Sequence, residues 1–452
     1  MRLDLDDLHA GLQDEVLGSV SFLNEVMRRY PDAISFAPGA PHPSFYNDLD
    51  ISKYIDIFLE YQASRGRAPD AALRALYEYG PSGGLINDLV AEALARDLGV
   101  PASPEAITIT VGAQEAMLLA LRALCRSERD LLAVVEPCYV GLVGAARLLG
   151  IPVVAVPEGD HGVDCDRLEA RCRSARSAGR RVKALYIAPD HANPSGTVTD
   201  QATRIRLLEL AERHDLILLE DTAYGFTTAP ERGITPLKAL DTAGRVVCIG
   251  TFAKVCLPGA RVGYVLADQT VRAPDGSTRT LARELARLKN MVTVNTSPIC
   301  QALVGGMLVE AGGSLAELAR RKSALYQRNL DLLLDALDRR LPPDARGSEI
   351  GWNRPAGGFF VRVRVPVPAD EALLERCATL HGVLWTPMSH FYLGPGGERE
   401  LRLSCSYLDP AQIEEGVARL AAFLADLGPT DPGPRHRDPR TVPYGASSRS
   451  VS

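Results

Sequence analysis

Residues 250–264 read GTFAKVCLPGARVGY, and the apolar run RVVCIG at 245–250 leads into them. A buried strand therefore hands over to a small hydroxyl residue, Thr251, and then to a lone lysine, Lys254. At the mouth of such a strand burial disfavours the charged form of a lysine and lowers its pKa. Its amine is then a nucleophile toward carbonyl groups. Arg261 follows in PGARVGY, and with Thr251 it offers a hydroxyl donor and a forked guanidinium, a set suited to a phosphate. A loop lysine beside an exposed arginine has the same spacing, so the stretch needs partners elsewhere in the chain before it defines a site.

Outward from this stretch, apolar runs alternate with helical ones. DLLAVVE (130–136), IPVVAV (151–156), VKALYIAPD (182–190) and DLILLED (215–221) are separated by VGLVGAARLLG and RIRLLELAERH. Continuous apolar strands between helices of this length predict an α/β fold with a mostly parallel sheet between layers of helices. Ligands collect at the carboxyl ends of such strands. Those ends carry Tyr139, Asn193, Asp221 and Tyr224 as well as Thr251 and Lys254. Each has a plain explanation alone: Asn193-Pro194 as a turn, Asp221 as a helix cap, Tyr139 as a half-buried aromatic. Their concurrence at the strand ends of one sheet favours a site. Ile107 to Val111 forms a further strand that meets Gly112, with Ala113 and Gln114 opening a helix whose free N–H groups suit an anion. The absence of GxGxxG and of a P-loop lysine disfavours a dinucleotide or NTP and leaves room for a single phosphate.

The chain has 452 residues, 46% of them hydrophobic, enough for one large domain and a smaller one. Its net charge of -6, without a basic stripe, argues against nucleic acid. No apolar run approaches the roughly 18 residues that span a bilayer. The acidic, amphipathic start MRLDLDDLHAGLQDEV is unlike a secretory signal, and nine scattered cysteines without CxxC spacing suit a reduced, cytoplasmic protein. Cys125, Cys248 and Cys300 are expected in the core. The expected division is an arm and helix at 1–45, a large α/β domain at 46–312, a small α+β domain at 313–428 and a disordered, Pro/Arg/Ser-rich tail at 429–452.

With these residues assembled, the chain resembles the class I/II aminotransferases, fold-type I enzymes that use pyridoxal 5'-phosphate (PLP), across about residues 20–425. The resemblance implies a large domain with a mostly parallel sheet plus a smaller α+β domain. Lys254 would hold PLP covalently and later shuttle a proton. Asp221 would pair with the pyridine nitrogen, keeping it protonated so that the ring draws electrons. Asn193 and Tyr224 would bind the ring 3'-oxygen, and Tyr139 would stack on the ring face. Ala113, Gln114, Thr251 and Arg261 would hold the phosphate, joined by Tyr79 from a partner subunit, which implies a homodimer with shared sites. Arg402, within LRLSC, would clamp the substrate α-carboxylate alongside Asn193, and Gly39, in AISFAPGAPHP, would close over the substrate.

Within the family, the arm SFLNEVMRRYPDAISFAPGAP and the loop WTPMSHFY are most similar to the subgroup containing (S)-3,5-dihydroxyphenylglycine transaminase, of peptide-antibiotic biosynthesis. The implied reaction moves an amino group between an α-amino acid, such as an aryl-glycine, and a 2-oxo acid. The alternative is a diverted enzyme of the same fold, a C–S β-lyase or a decarboxylating or oxidative deaminase. His191 ahead of ANPSG, Thr222-Ala223 before Tyr224, and LIND after the Tyr79 turn depart from the usual pattern and keep it open. His390, in the aromatic loop, is expected to be structural.

Overall fold

The computed structural model describes residues 3–8, 10–13, 25–159, 161–228, 233–341 and 350–427. The expected tail from 429 and much of the expected N-terminal helix lie outside them. Eight strands form the main sheet: β1 (Ile107–Thr110), β2 (Asp130–Glu136), β3 (Val153–Gly159), β4 (Gly162–Val163), β5 (Arg181–Ile187), β6 (Ile217–Asp221), β7 (Val246–Thr251) and β8 (Gly263–Leu266). Their order is β1-β8-β7-β6-β5-β2-β3-β4. From β7 to β3 every neighbour is parallel, whereas β8 runs antiparallel to both its neighbours and β4 to β3.

Alternation along each strand supplies two cores, because successive side chains point to opposite faces. Leu132 and Val134 of β2 pack on one face with Leu121, Tyr186, Leu219 and Leu285. Leu131 and Ala133 pack on the other with Leu168, Leu185, Leu207 and Leu218. One glycine sets how a helix meets the sheet. A Cβ at Gly263 of β8 would lie 2.7 Å from the carbonyl carbon of Gly112 and 2.9 Å from the amide of Ala113. Its absence lets the start of the helix Gly112–Leu124 rest directly on the strand.

The smaller sheet contains β9 (Gly351–Trp352), β10 (Phe360–Arg364), β11 (Thr386–Pro387) and β12 (Glu400–Ser404), antiparallel throughout in the order β9-β10-β12-β11. The arm is built into this domain. Ile34–Ser35 pairs in parallel with Val383–Leu384, and Val26, Ile34 and Phe36 share a core with Val361, Leu403 and Leu420. The helix Leu315–Arg340 starts near the expected boundary at 313 and runs through both domains. Its Leu315 and Ala319 pack in the large domain, while Leu330, Leu333 and Leu337 pack in the small one. All nine cysteines are free thiols, and Cys300, expected in the core, is only half-buried. Among the described residues no single helix is long and apolar enough to cross a membrane.

Candidate active site

A cavity of about 290 Å³ opens at the carboxyl ends of β5, β6 and β7. Gly39, Ala113, Gln114, Tyr139, Asn193, Asp221, Tyr224, Thr251, Lys254, Arg261 and Arg402 all line it. Residues from seven separated stretches thus meet in one pocket, as a parallel sheet with βα turns dictates.

Lys254 follows β7 and is half-buried. Its Nζ donates to the carbonyl of Gly39 at 2.6 Å and lies 5.7 Å from the centre of the Tyr224 ring. Burial pulls its pKa down to about 8; the Asp221 carboxylate opposes this, and the Arg261 and Arg402 guanidiniums reinforce it. Asp221 is the last residue of β6. Its Oδ1 accepts the amide of Ala223 at 2.9 Å and its Oδ2 accepts the Tyr186 hydroxyl at 2.6 Å. Burial raises the Asp221 pKa, while these donors and the Lys254 ammonium counter it.

Tyr186 is a site residue that the sequence reading did not single out. In β5 it stands level with Leu219 of β6, so it shares a face with Asp221, two residues further on. The available signal was a polar-tipped aromatic in an otherwise apolar strand, next to a strand ending in aspartate. Met117, Ala188, Ala223 and Ala253 also line the cavity without having been expected there.

At one end of the cavity the helix Gly112–Leu124 begins. Gly112 has φ 70°, and a Cβ there would lie 2.5 Å from Nη2 of Arg261. A glycine is therefore what allows the guanidinium to sit against the helix start. Arg261 itself takes a left-handed backbone, φ 52°, and its Nη1 donates to the Pro258 carbonyl at 3.3 Å. The Thr251 hydroxyl accepts the Ala253 amide at 3.2 Å, and the Gln114 side chain donates to the Gly141 carbonyl at 2.6 Å.

At the other end Arg402, on β12, is sandwiched between the rings of Phe360 and Phe391, with centroids 4.5 and 5.1 Å from the guanidinium carbon. It donates to Asn193 Oδ1 at 2.6 Å, to the Ala37 carbonyl at 2.6 Å and to Thr386 at 3.2 Å. Its Nε is buried without a partner, and burial lowers its pKa to about 10. Asn193 also reaches the Tyr224 hydroxyl at 3.4 Å. A Cβ on Gly39 would come within 2.8 Å of the Phe360 ring, so a larger residue in the arm at this point would have to displace that buried ring.

Tyr79 is the exception among the expected residues. It is 87% exposed and does not line the cavity of its own chain. His390 also lies away from the cavity, paired with Glu371 at 3.2 Å. His191 sits behind the site, its Nε2 3.3 Å from the Thr228 hydroxyl.

The donor set fits PLP. A buried amine suits its carbonyl, a buried carboxylate its pyridine nitrogen, and a helix start with a guanidinium its phosphate. A separate, ring-flanked arginine remains for a carboxylate. Fold and site together define a fold-type I PLP enzyme. The comparisons with known proteins carry this further. The family described as aminotransferase class I and II matches residues 60–420, and the chain belongs to it. It is a PLP-dependent aminotransferase. It is 47% identical to an (S)-3,5-dihydroxyphenylglycine transaminase of Amycolatopsis orientalis, over 94% of this chain and 95% of that one. With a 2-aminoadipate transaminase of Thermus thermophilus it shares 30% identity over 88% of this chain and 91% of the relative. Among solved structures, the kynurenine aminotransferase of Pyrococcus horikoshii, crystallised with PMP, superposes with a TM-score of 0.76 at 27% identity, covering 90% of this chain and 95% of that one.

Proposed function

We propose that this aminotransferase moves the amino group between an aryl-glycine of the 3,5-dihydroxyphenylglycine type and a 2-oxo acid, as a cytoplasmic homodimer serving specialised, antibiotic-forming metabolism. The observation that carries the substrate is the 47% identity to the (S)-3,5-dihydroxyphenylglycine transaminase, sustained over nearly the whole of both chains. A site shared between subunits accords with the exposed Tyr79, which is free to reach a neighbouring chain.

In this reading bound PLP supplies an electron sink for the negative charge left at the substrate Cα. The residues divide the remaining work. Arg402 and Asn193 orient the substrate by its α-carboxylate, and the bond from Arg402 to the Ala37 carbonyl places the arm at Gly39 over it. Lys254, its amine neutral from about pH 8 upward, removes the proton from Cα and delivers it again. The donors from Tyr186 and Ala223 favour the ionised form of Asp221 against the effect of burial, and that carboxylate would balance a protonated ring nitrogen. Tyr139 covers the ring, and Asn193 with Tyr224 binds its 3'-oxygen. Ala113, Gln114, Thr251, Arg261 and the partner subunit's Tyr79 hold the phosphate.

Steady-state kinetics across amino donors tests the assignment. The (S)-3,5-dihydroxyphenylglycine kcat/KM should exceed that of 2-aminoadipate or kynurenine by about tenfold or more, since a site that hydrogen-bonds substrate hydroxyls would discriminate strongly against donors lacking them. Equal or reversed values would remove the aryl-glycine as substrate.

A further inference from the structure

Directly behind the helix start that faces the cavity lies a buried ion pair that the reaction does not use. Glu115, in the first turn of Gly112–Leu124, turns back so that its Oε2 accepts the amide of Val111, the residue before the helix, at 2.7 Å. The same Oε2 takes a hydrogen bond from Nζ of Lys289 at 2.6 Å. Thr293 closes the cluster, donating to Glu115 Oε1 at 2.6 Å and accepting from Lys289 at 2.8 Å. Lys289 is fully buried and Glu115 nearly so. Lys289 belongs to another helix, Leu281–Val292, so the pair also ties two elements together.

A carboxylate here has two opposed effects. It holds the Val111 amide and so fixes the entry to the helix. It also places a negative charge within one turn of the helix-start amides, where an anion is to bind, and in a buried setting such a charge is poorly screened. A helix start left with an unbalanced carboxylate loses much of its attraction for an anion. We propose that Lys289 is a positioning residue for cofactor binding: by neutralising Glu115 it preserves the positive potential of the helix start for the phosphate of PLP. The proposal rests on the reading of Gly112–Gln114 as the phosphate cup.

Charge balance and simple structural support predict different patterns in a double-mutant cycle. Apo protein, freed of cofactor, is titrated with PLP and separately with pyridoxal, which lacks the phosphate, and binding is followed by absorbance. Lys289→Met should weaken PLP by about tenfold or more and leave pyridoxal unchanged, because only the phosphate meets the exposed charge of Glu115. The doubly neutral Glu115→Gln/Lys289→Met protein, which keeps a side-chain oxygen for the Val111 amide, should return to within about threefold of wild type. Glu115→Gln alone leaves an unopposed cation and should bind PLP at least as tightly as wild type. Should Lys289→Met fail to fold, the single Glu115→Gln and the double variant decide the matter. Equal weakening of PLP and pyridoxal, failure of the double variant to recover, or loss of PLP affinity in Glu115→Gln would overturn the proposal. A wild-type protein that binds no PLP would instead refute the underlying assignment of the site.

Discussion

At Lys254 three influences act on one ammonium group. Burial removes its water, Asp221 attracts it, and the two guanidiniums of Arg261 and Arg402 repel it. The balance lowers its pKa from the ordinary 10.5 to about 8. The neutral, nucleophilic amine is therefore present from about pH 8 upward instead of from about pH 10.5. In cofactor-free protein the rate of PLP capture should rise with pH about a midpoint near 8, followed by stopped-flow absorbance. A midpoint near that of an unperturbed lysine would show that the cavity does not tune this residue. The sign for folding is opposite to that of a salt-bridged lysine. Between about pH 8 and 10.5 the unfolded chain binds more protons at this position, so apo stability gains with pH there. Lys254 was legible in the sequence because it is a polar residue where a buried strand ends. Tyr186 was not, because its role depends on which residue of the neighbouring strand it stands beside.

The elements that build the site act through close backbone approach as much as through side chains. Gly112 and Gly263 bring the first turn of the helix Gly112–Leu124 onto β8 and leave room for Arg261 at its start. Replacing Gly112 by alanine would put a methyl group 2.5 Å from the guanidinium and force a side chain into a backbone with φ 70°. Arg261 must then move off the helix start. Gly112→Ala should weaken PLP binding by about tenfold or more, or about 1.4 kcal/mol, with little change in the far-UV spectrum. Unchanged affinity would mean that Arg261 does not serve the phosphate. At this scale most strands were readable as continuous apolar runs: DLLAVVE coincides with β2 and DLILLED contains β6. The antiparallel direction of β8 was not, since apolar patterning carries no strand direction. The pairing of Glu115 with Lys289 was hidden for a related reason: it joins two helices far apart in sequence that only the sheet brings side by side.

For the whole molecule, the active site is a junction between domains. The large sheet supplies Lys254 and Asp221, and the small domain supplies Arg402 on β12 and, through the arm, Gly39. The arm reached the small domain unannounced by the sequence, because Ile34–Ser35 and Val383–Leu384 pair across most of the chain. The helix Leu315–Arg340 packs in both cores, so displacement of one domain is felt in the other. Such an assembly holds an amino acid by its carboxylate from one side and the cofactor from the other, and this is what transamination in two halves requires. The most direct measurement is a single-turnover experiment on PLP-loaded protein given (S)-3,5-dihydroxyphenylglycine and no 2-oxo acid. One 2-oxo product per Lys254 should form, after which the reaction stops until a 2-oxo acid is added, and Lys254→Ala should form none. Continued release of ammonia without any amino acceptor would contradict the account.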